Sequence, residues 1–504
     1  MEVVPMSPAQ AAPPTDEERL LQLGYQPKLR RRMGEFGNFA SSFSVISILS
    51  GCMTMLAFGL NTGGPAVIIW GWIGVGGLVM FVGLALAEVT SAYPTSGALY
   101  FMAHQLGGPR WGWMTGWLNL LGLVGGICGI DYGAASFVGA FLNMQFGYSP
   151  TPAGLFGIFA AILLLHAVLN LRGVRLVSVL NGISVWWHIG GVVLIVGALA
   201  LVPAQHQGVS WVVGHFVNNT GWSNPIYVSA VGLLLAQYTF SGYDASAHMS
   251  EETTKASLSA PRGIVRSIWV SWIAGAVLLA GMLFAVQDYD GVLNSPTGVP
   301  PAQIFIDALG TTGAKALLAV VIVAQVFCGN AETAAASRMV FAFSRDGALP
   351  GSALWSRVSE RTGTPVAGVW LSLGAALVLA LPSLYSATAY GAVTAVNVVG
   401  MTPAYAVPIY LRLRKGRRFK PGPWNLGRRG PVIGWIAVGW VAVVSVLVCL
   451  PQSSPVTVDT FNYAPVALGV VLLLAWAWWL KAGRAYAPPV QQSAELVELT
   501  KEVV

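Results

Sequence analysis

Charge is what this sequence has least of: only 9% of its 504 residues are Asp, Glu, Lys or Arg, while 55% are hydrophobic. A soluble globular domain carries about a quarter charged residues, so a soluble fold is excluded before any motif is read. Cysteine is scarce too, and Cys52, Cys128, Cys328 and Cys449 all fall inside apolar runs, which excludes a disulfide framework. There is no GxxxxGK[ST] phosphate loop, so ATP is not a direct energy source, and no HExxH or Cys/His spacing suited to a metal. His104, His166, His206, His215 and His248 are scattered singly. Neither a cofactor nor an enzyme's nucleophile and base is implied.

What is present is a series of apolar runs, each long enough to cross a hydrocarbon core of about 30 Å as a helix. They read as twelve spans: Asn38–Leu60, Pro65–Glu88, Trp111–Phe141, Thr151–Leu171, Val177–Val202, Pro225–Ala247, Gly263–Gln287, Gly313–Phe343, Pro365–Leu381, Ala387–Leu411, Pro431–Leu450 and Tyr463–Leu480. A barrel is excluded because its strands alternate apolar and polar residues and these runs do not. Short cytoplasmic loops collect Lys and Arg. With the N-terminus inside, Arg110, Arg172, Arg175, Lys255, Arg262, Arg266, Arg345, Arg357, Arg361, the Arg412 to Arg429 cluster, Lys481 and Arg484 are all cytoplasmic, and Lys315 alone lies outside. That segregation supports the count and predicts both termini in the cytoplasm. It also assigns the formal charge of +7 to orientation in a lipid bilayer rather than to nucleic acid. Met1–Met33 lacks the apolar core of a signal peptide and reads as a cytosolic tail. The stretch from Ser96 to Gly107 is too short to span and predicts a helix lying along the inner interface.

Two spans contain helix breakers. The first carries Ser47-Ile48-Leu49-Ser50-Gly51-Cys52 near its middle, and the sixth carries Phe240-Ser241-Gly242-Tyr243-Asp244. Unwound backbone at membrane depth is tolerated only where it is buried in protein or lines a cavity. Half-helix N-termini there present N–H groups to a carboxylate, and half-helix C-termini present carbonyls to an ammonium group. A zwitterionic amino acid fits both, although glycine in membrane helices also serves close packing. Ionisable residues within spans are functional candidates by default. Asp131, in the outer half of the third span, suits attraction of an amine, gating of an outer vestibule, or pairing with a neighbouring hydroxyl. Asp244 suits capping of the second half of the sixth helix, or a substrate role. Glu332 suits an ion pair with Arg338 or an inner gate. Glu88 reads as structural. His188, beside Trp186 and Trp187, suits a titratable coupling residue or a hydrogen-bonded core histidine.

At this point the chain resembles a known group. Glu88 through Pro94, Gly97 and Tyr100 match the E-x-x-x-x-x-P-x-x-G-x-x-Y signature of the amino acid/polyamine/organocation superfamily, with Ala98 in place of a usual second glycine. Ser337-Arg338 followed by Arg345-Asp346-Gly347-Ala348-Leu349-Pro350 is similar to its S-R…R-D-G-x-L-P stretch. Gly129 to Ala135 and Phe240 to Thr253 resemble the amino acid/choline transporter branch, which includes GABA and choline permeases. The resemblance implies an all-α integral membrane protein of the leucine-transporter architecture, with five-plus-five inverted repeats and broken first and sixth helices. The implied division is a tail of residues 1–37, repeats at 38–202 and 225–411, two further helices at 431–480, and a tail at 481–504. The implied substrate site comprises Ser50, Gly51 and Cys52 with Phe240, Ser241, Gly242 and Tyr243, with Asp131 toward the amine. His188 falls near the place where a coupling Lys stands in proton-driven relatives, and Glu332 and Asp244 are expected in coupling or gating. The expected function is secondary active import of an amino acid or amine such as GABA, with a proton as co-substrate, across the plasma membrane. Choline, polyamine or exchange are the alternatives.

Overall fold

The structure, a computed structural model, describes residues 15–385 and 389–489. The expected start of the tenth span at Ala387, and the outer parts of both tails, lie outside the described residues. The membrane helices run over Glu35–Asn61, Gly64–Ala92, Pro109–Phe146, Pro152–Leu171, Val174–Leu201, Pro225–Thr239 with Ala245–His248, Ala256–Phe284, Pro300–Arg345, Val366–Leu379, Ala389–Lys415, Gly430–Leu447 and Ala464–Ala482, numbered here as spans 1 to 12. Nine helices among the described residues are long and apolar enough to cross a membrane, and no strand occurs there. In lipid each helix satisfies its own backbone. Its start is set by residues that need no partner or supply one. Spans 2, 3, 4, 8, 11 and 12 carry Pro in the first turn, where the missing N–H costs nothing. Thr151 and Asn224 cap spans 4 and 6 through their side-chain oxygens.

The packing repeats with an offset of five. Span 2 lies along span 7 and span 3 along span 8; span 3 also packs on span 10, and span 8 on span 5. Between spans 2 and 7 the exchange is reciprocal: the Trp72 ring occupies the place a side chain at Gly275 would fill, and the Trp272 ring the place at Gly76. The Trp72 indole N–H donates to the Trp272 carbonyl at 2.8 Å. Small residues that let large ones in are how membrane helices gain close packing, since lipid gives no hydrophobic drive between them.

Differences from the sequence reading concern the elements between spans. Helix Ala98–Gly107 is enclosed by protein rather than laid open along a surface: residues Ala98 through Ala103 are fully buried, because spans 3 and 10 and the N-terminal segment pack around them. That segment, with helix Asp16–Gln22, buries Leu20, Leu23, Tyr25 and Leu29 in the main core. The Asp16 carboxylate accepts from the Lys255 and Ala256 N–H groups at 2.6 and 3.0 Å, at the start of span 7.

On this same face the motif segments meet. Arg338 makes a two-pronged pair with Glu252 at 3.0 and 3.1 Å, both side chains fully buried, so the expected Glu332–Arg338 pair does not form. Arg345 does the same with Glu251 at 3.0 Å and lies 3.7 Å over the Tyr25 ring. Glu88 is structural, held by Arg412 at 2.8 Å and the Leu426 N–H at 3.1 Å. Tyr25 and Tyr100 both donate to Asp346 Oδ2, at 2.7 and 2.9 Å. Burial pushes the Asp346 carboxyl up to about 6, against the pull of Arg345.

Two outcomes are expected. Arg338→Ala strands Glu252 in the interior and should cost about 3–5 kcal/mol, whereas the joint Arg338→Met, Glu252→Leu change should cost less than either single change; thermal unfolding in detergent measures this. A folded-state pKa raised to about 6 is a stabilisation complete below the ordinary carboxylate value and lost as pH rises through about 6. Asp346→Asn should therefore flatten the fall in melting temperature between about pH 4 and pH 6 that the wild type shows.

Candidate functional site

The break in span 1 falls at Ser47, three residues before Ser50-Gly51. Ser47 has φ 33° and ψ 82°, a left-handed conformation uncommon outside glycine. Its hydroxyl makes the conformation tenable. The oxygen accepts from the Ser50 N–H at 3.2 Å and lies 2.7 Å from His188 Nε2 on span 5. His188 Nδ1 stands 2.7 Å from the Ser184 carbonyl, which can only accept. The ring therefore carries its hydrogen on Nδ1 and, when neutral, accepts from Ser47 on Nε2. The Val45 carbonyl, left without its helical partner, accepts from the Cys328 thiol on span 8 at 3.2 Å.

Span 6 unwinds over Phe240–Asp244, with Gly242 at φ 81°. The Gly242 N–H is taken by the Tyr405 hydroxyl on span 10 at 3.0 Å, and Tyr405 donates to Asp244 Oδ1 at 2.9 Å. The expected capping by Asp244 is not found: it stands at the N-cap position without a capping bond. Its carboxylate instead ties span 6 to spans 3 and 10, with Asn119 at 3.4 Å and His248 at 3.2 Å as further neighbours. The helical segment beyond the break is also short, a four-residue helix Ala245–His248 and a 3-10 turn Ser250–Glu252.

A cavity lies where the breaks face one another. Its lining includes Ser50, Gly51, Tyr238, Thr239, Ser241, Cys328, Glu332 and Asn397. About 20 Å³ of it admits the centre of a water-sized molecule, space for about one water. The N-terminal end of helix Ile48–Asn61 and the C-terminal end of helix Leu234–Thr239 both terminate here. Opposite charges on a ligand therefore meet opposite helix ends. Among the described residues of the lining, Glu332 is the one that is charged, and its Oε2 is buried without a hydrogen-bond partner among them. Ser241 Oγ lies 2.7 Å from the Tyr238 carbonyl and 2.9 Å from Asn397 Oδ1.

Of the residues expected from sequence, Ser50, Gly51, Ser241 and Glu332 come together on this wall. Cys52, Phe240, Gly242 and Tyr243 are buried outside the lining: Phe240 packs on Trp72 at 4.4 Å and Tyr243 stacks on Tyr405 at 4.5 Å. Asp131 is also outside it, turned toward His166 on span 4 at 3.0 Å. Sequence reasoning missed Tyr238, Thr239, Asn397 and Tyr405. Asn397 carried a signal, as a lone amide in an apolar run. A second, more apolar cavity of about 200 Å³ sits on the side away from the termini, lined by Thr54, Phe58, Leu234, Thr394, Val398 and Gln452 among others, and Tyr238 borders both.

Two discontinuous helices around a small buried cavity, within two packed sets of five spans, define a multi-pass membrane transporter. Residues 36–473 match the family model described as amino acid permease, and the chain belongs to that family. It is 39% identical over 487 residues to the amino-acid permease BAT1 of Arabidopsis thaliana, covering 92% of this chain and 94% of that protein. To the BAT1 homolog of Oryza sativa it is 40% identical, over 93% and 94%. To the GABA-specific permease of Saccharomyces cerevisiae it is 30% identical, over 92% and 84%. These relatives are named as transporters, not enzymes, and amino acid transport across a membrane is this chain's function.

A side chain at Gly51 would lie 2.7 Å from the Thr239 side chain across the cavity. Gly51→Ala should cost about 1–3 kcal/mol as overpacking and lower uptake more than protein yield, with partial recovery on adding Thr239→Ala; transport per folded molecule in proteoliposomes reads both.

Proposed function

We propose that the chain imports an amino acid or a related amine-bearing solute such as GABA across the plasma membrane, with a proton, and that both termini are cytoplasmic. The observation that carries this reading is Glu332, a buried acid between two opposed helix ends whose Oε2 has no hydrogen-bond partner among the described residues. A carboxylate left alone in the interior is costly, and an ammonium group from the substrate meets that cost. The substrate carboxylate then turns to the positive end of helix Ile48–Asn61, where Ser50 and Gly51 line the cavity, and Ser241 and Asn397 close the polar ring. Asp131 supports recognition of the amine from behind the wall, as part of its pair with His166 and without touching the cavity. Choline, one of the alternatives, is less favoured, since quaternary ammonium recognition uses an aromatic cage and Tyr238 is the one aromatic among the described residues of the lining. A polyamine would call for more than one carboxylate there.

The working unit in this reading is residues 38–411, as repeats 38–202 and 225–411, with 431–480 outside it. The cytoplasmic assignment of the terminal face rests on the basic residues it collects. That face is sealed by the Glu251 and Glu252 ion pairs and the N-terminal segment, whereas toward the other side Tyr238 lines both the central cavity and the outer one. The closed cavity is smaller than any amino acid, so the half-helices of spans 1 and 6 must part to load it. Asp244 acts in gating by joining span 6 to span 10. His188 belongs to the coupling machinery through its hold on Ser47.

Glu332→Gln should raise the apparent KM for the amine-bearing substrate by about 10- to 100-fold, the scale of a lost charge-assisted hydrogen bond; radiolabelled uptake into proteoliposomes across amino acids, GABA, choline and polyamines, with imposed proton or sodium gradients, measures it. Unchanged KM with intact uptake would move the amine elsewhere. His188→Gln should shift the pH dependence of uptake, and a wild-type profile would remove His188 from coupling.

A further inference from the structure

Asp131 and His166 stand face to face between spans 3, 4 and 8, both fully buried. His166 Nδ1 lies 3.0 Å from Asp131 Oδ2, and His166 Nε2 lies 3.0 Å from the Val326 carbonyl on span 8. A carbonyl oxygen can only accept, so Nε2 carries a hydrogen. A neutral imidazole has just one N–H. Its Nδ1 would then point a lone pair at a carboxylate oxygen. The observed contact requires one more hydrogen, either on Nδ1, giving imidazolium and carboxylate, or on Oδ2, giving a carboxylic acid that donates to a neutral ring. Both forms have net charge zero and hold the same extra proton. Without it, two lone pairs oppose each other inside the membrane and the pair carries a net negative charge.

The surroundings make this proton consequential. Among the described residues His166 is the one ion-pair partner of Asp131. Cys128 on span 3 and Cys328 and Glu332 on span 8 also lie within reach of its charge, and none of these is cationic. Asp131 Oδ1 has no hydrogen-bond partner among the described residues and lies against Gly329, where a side chain would collide with it. Glu332, the carboxylate of the central cavity, is three residues, or about one turn, further along the same helix. Span 4 is otherwise tied to span 8 by Asn170, whose amide donates to Asn330 Oδ1 at 2.9 Å.

We propose that Asp131 and His166 together form a proton-binding site of the transport cycle, distinct from the substrate cavity, in which one proton shared by the pair holds span 4 against spans 3 and 8. On losing that proton the pair must separate, or the ring must let go of Val326. The site so links proton occupancy to the position of span 4 and, through Asp131 Oδ1 and Gly329, to the field at Glu332. The role in coupling rests on the proton-driven transport proposed above; the bound proton itself does not.

The test has two arms on the full-length protein. In the first, nitrogen NMR of the protein with labelled histidine, assigned by His166→Gln, is read with the infrared carboxylic-acid band assigned by Asp131→Asn. The expected result near neutral pH is either a doubly protonated His166 ring or a protonated Asp131. A singly protonated ring beside an ionised carboxylate across about pH 5 to 9, the range in which histidine ordinarily titrates, would overturn the site. In the second, uptake is followed against pH in Asp131→Asn, whose amide can donate to His166 Nδ1 without titrating. A flattened pH profile, with the maximal rate changed by about tenfold or less, is expected. A wild-type profile in a folded Asp131→Asn protein would overturn the coupling role. Should the wild type move none of the substrates tried, the transport reading fails and the spectroscopic arm still decides on the proton.

Discussion

A backbone N–H or carbonyl left unpaired at membrane depth costs several kcal/mol, and the two interrupted helices expose such groups in the middle of the protein. Everything around them answers that need. Ser47 and His188 hold the break in span 1, the Cys328 thiol takes the Val45 carbonyl, and the Tyr405 hydroxyl takes the Gly242 N–H. The Ser42 hydroxyl takes the Tyr243 carbonyl at 2.5 Å. Spans 5, 8 and 10 are therefore not free to pack anywhere. They are drawn to the breaks, and in closing over them they bring Cys328, Glu332 and Asn397 to the cavity wall. The site is a by-product of backbone satisfaction, which is why the chemistry it offers is that of helix ends plus one carboxylate.

The buried acids sort by their partners. Glu252 has Arg338, Glu251 has Arg345, Asp131 has His166, and Asp244 has Tyr405 and Asn119. Glu332 alone of these lacks a bonding partner for an oxygen while facing a cavity. The ion pairs cluster on the terminal face, and Tyr238, which lines both cavities, lies toward the other. A buried ion pair returns little net stability once its desolvation is counted, so a seal made of such pairs can be specific in geometry and still be opened. An apolar seal of equal area would be harder to part.

Much of this was legible in the sequence. The helical class followed from run length, and the broken spans from Ser-Gly steps in positions that answer each other across an offset of five. Which residue would break was not legible, because Ser50-Gly51 fits a helix as well as a break, and the choice of Ser47 depends on a histidine 141 positions away. The same holds for Arg338: Glu332 is near it in sequence, but Glu252 reaches it in space. Asp244 was placed correctly at a helix start, yet the capping rule lost to a tyrosine from span 10. Periodicity reports which face of a helix is apolar. It says nothing of which of several polar groups, each in want of a partner, will find one another.

In the proposed transport cycle the amine-bearing substrate sits between the two breaks, against Glu332. Its presence there is read most directly from the rate at which a small thiol reagent modifies Ser241→Cys in a Cys328→Ser background in proteoliposomes, with and without saturating substrate. Substrate is expected to slow the reaction, and Glu332→Gln, at the same substrate concentration, to remove the protection. A modification rate indifferent to a substrate that the protein demonstrably transports would contradict that placement.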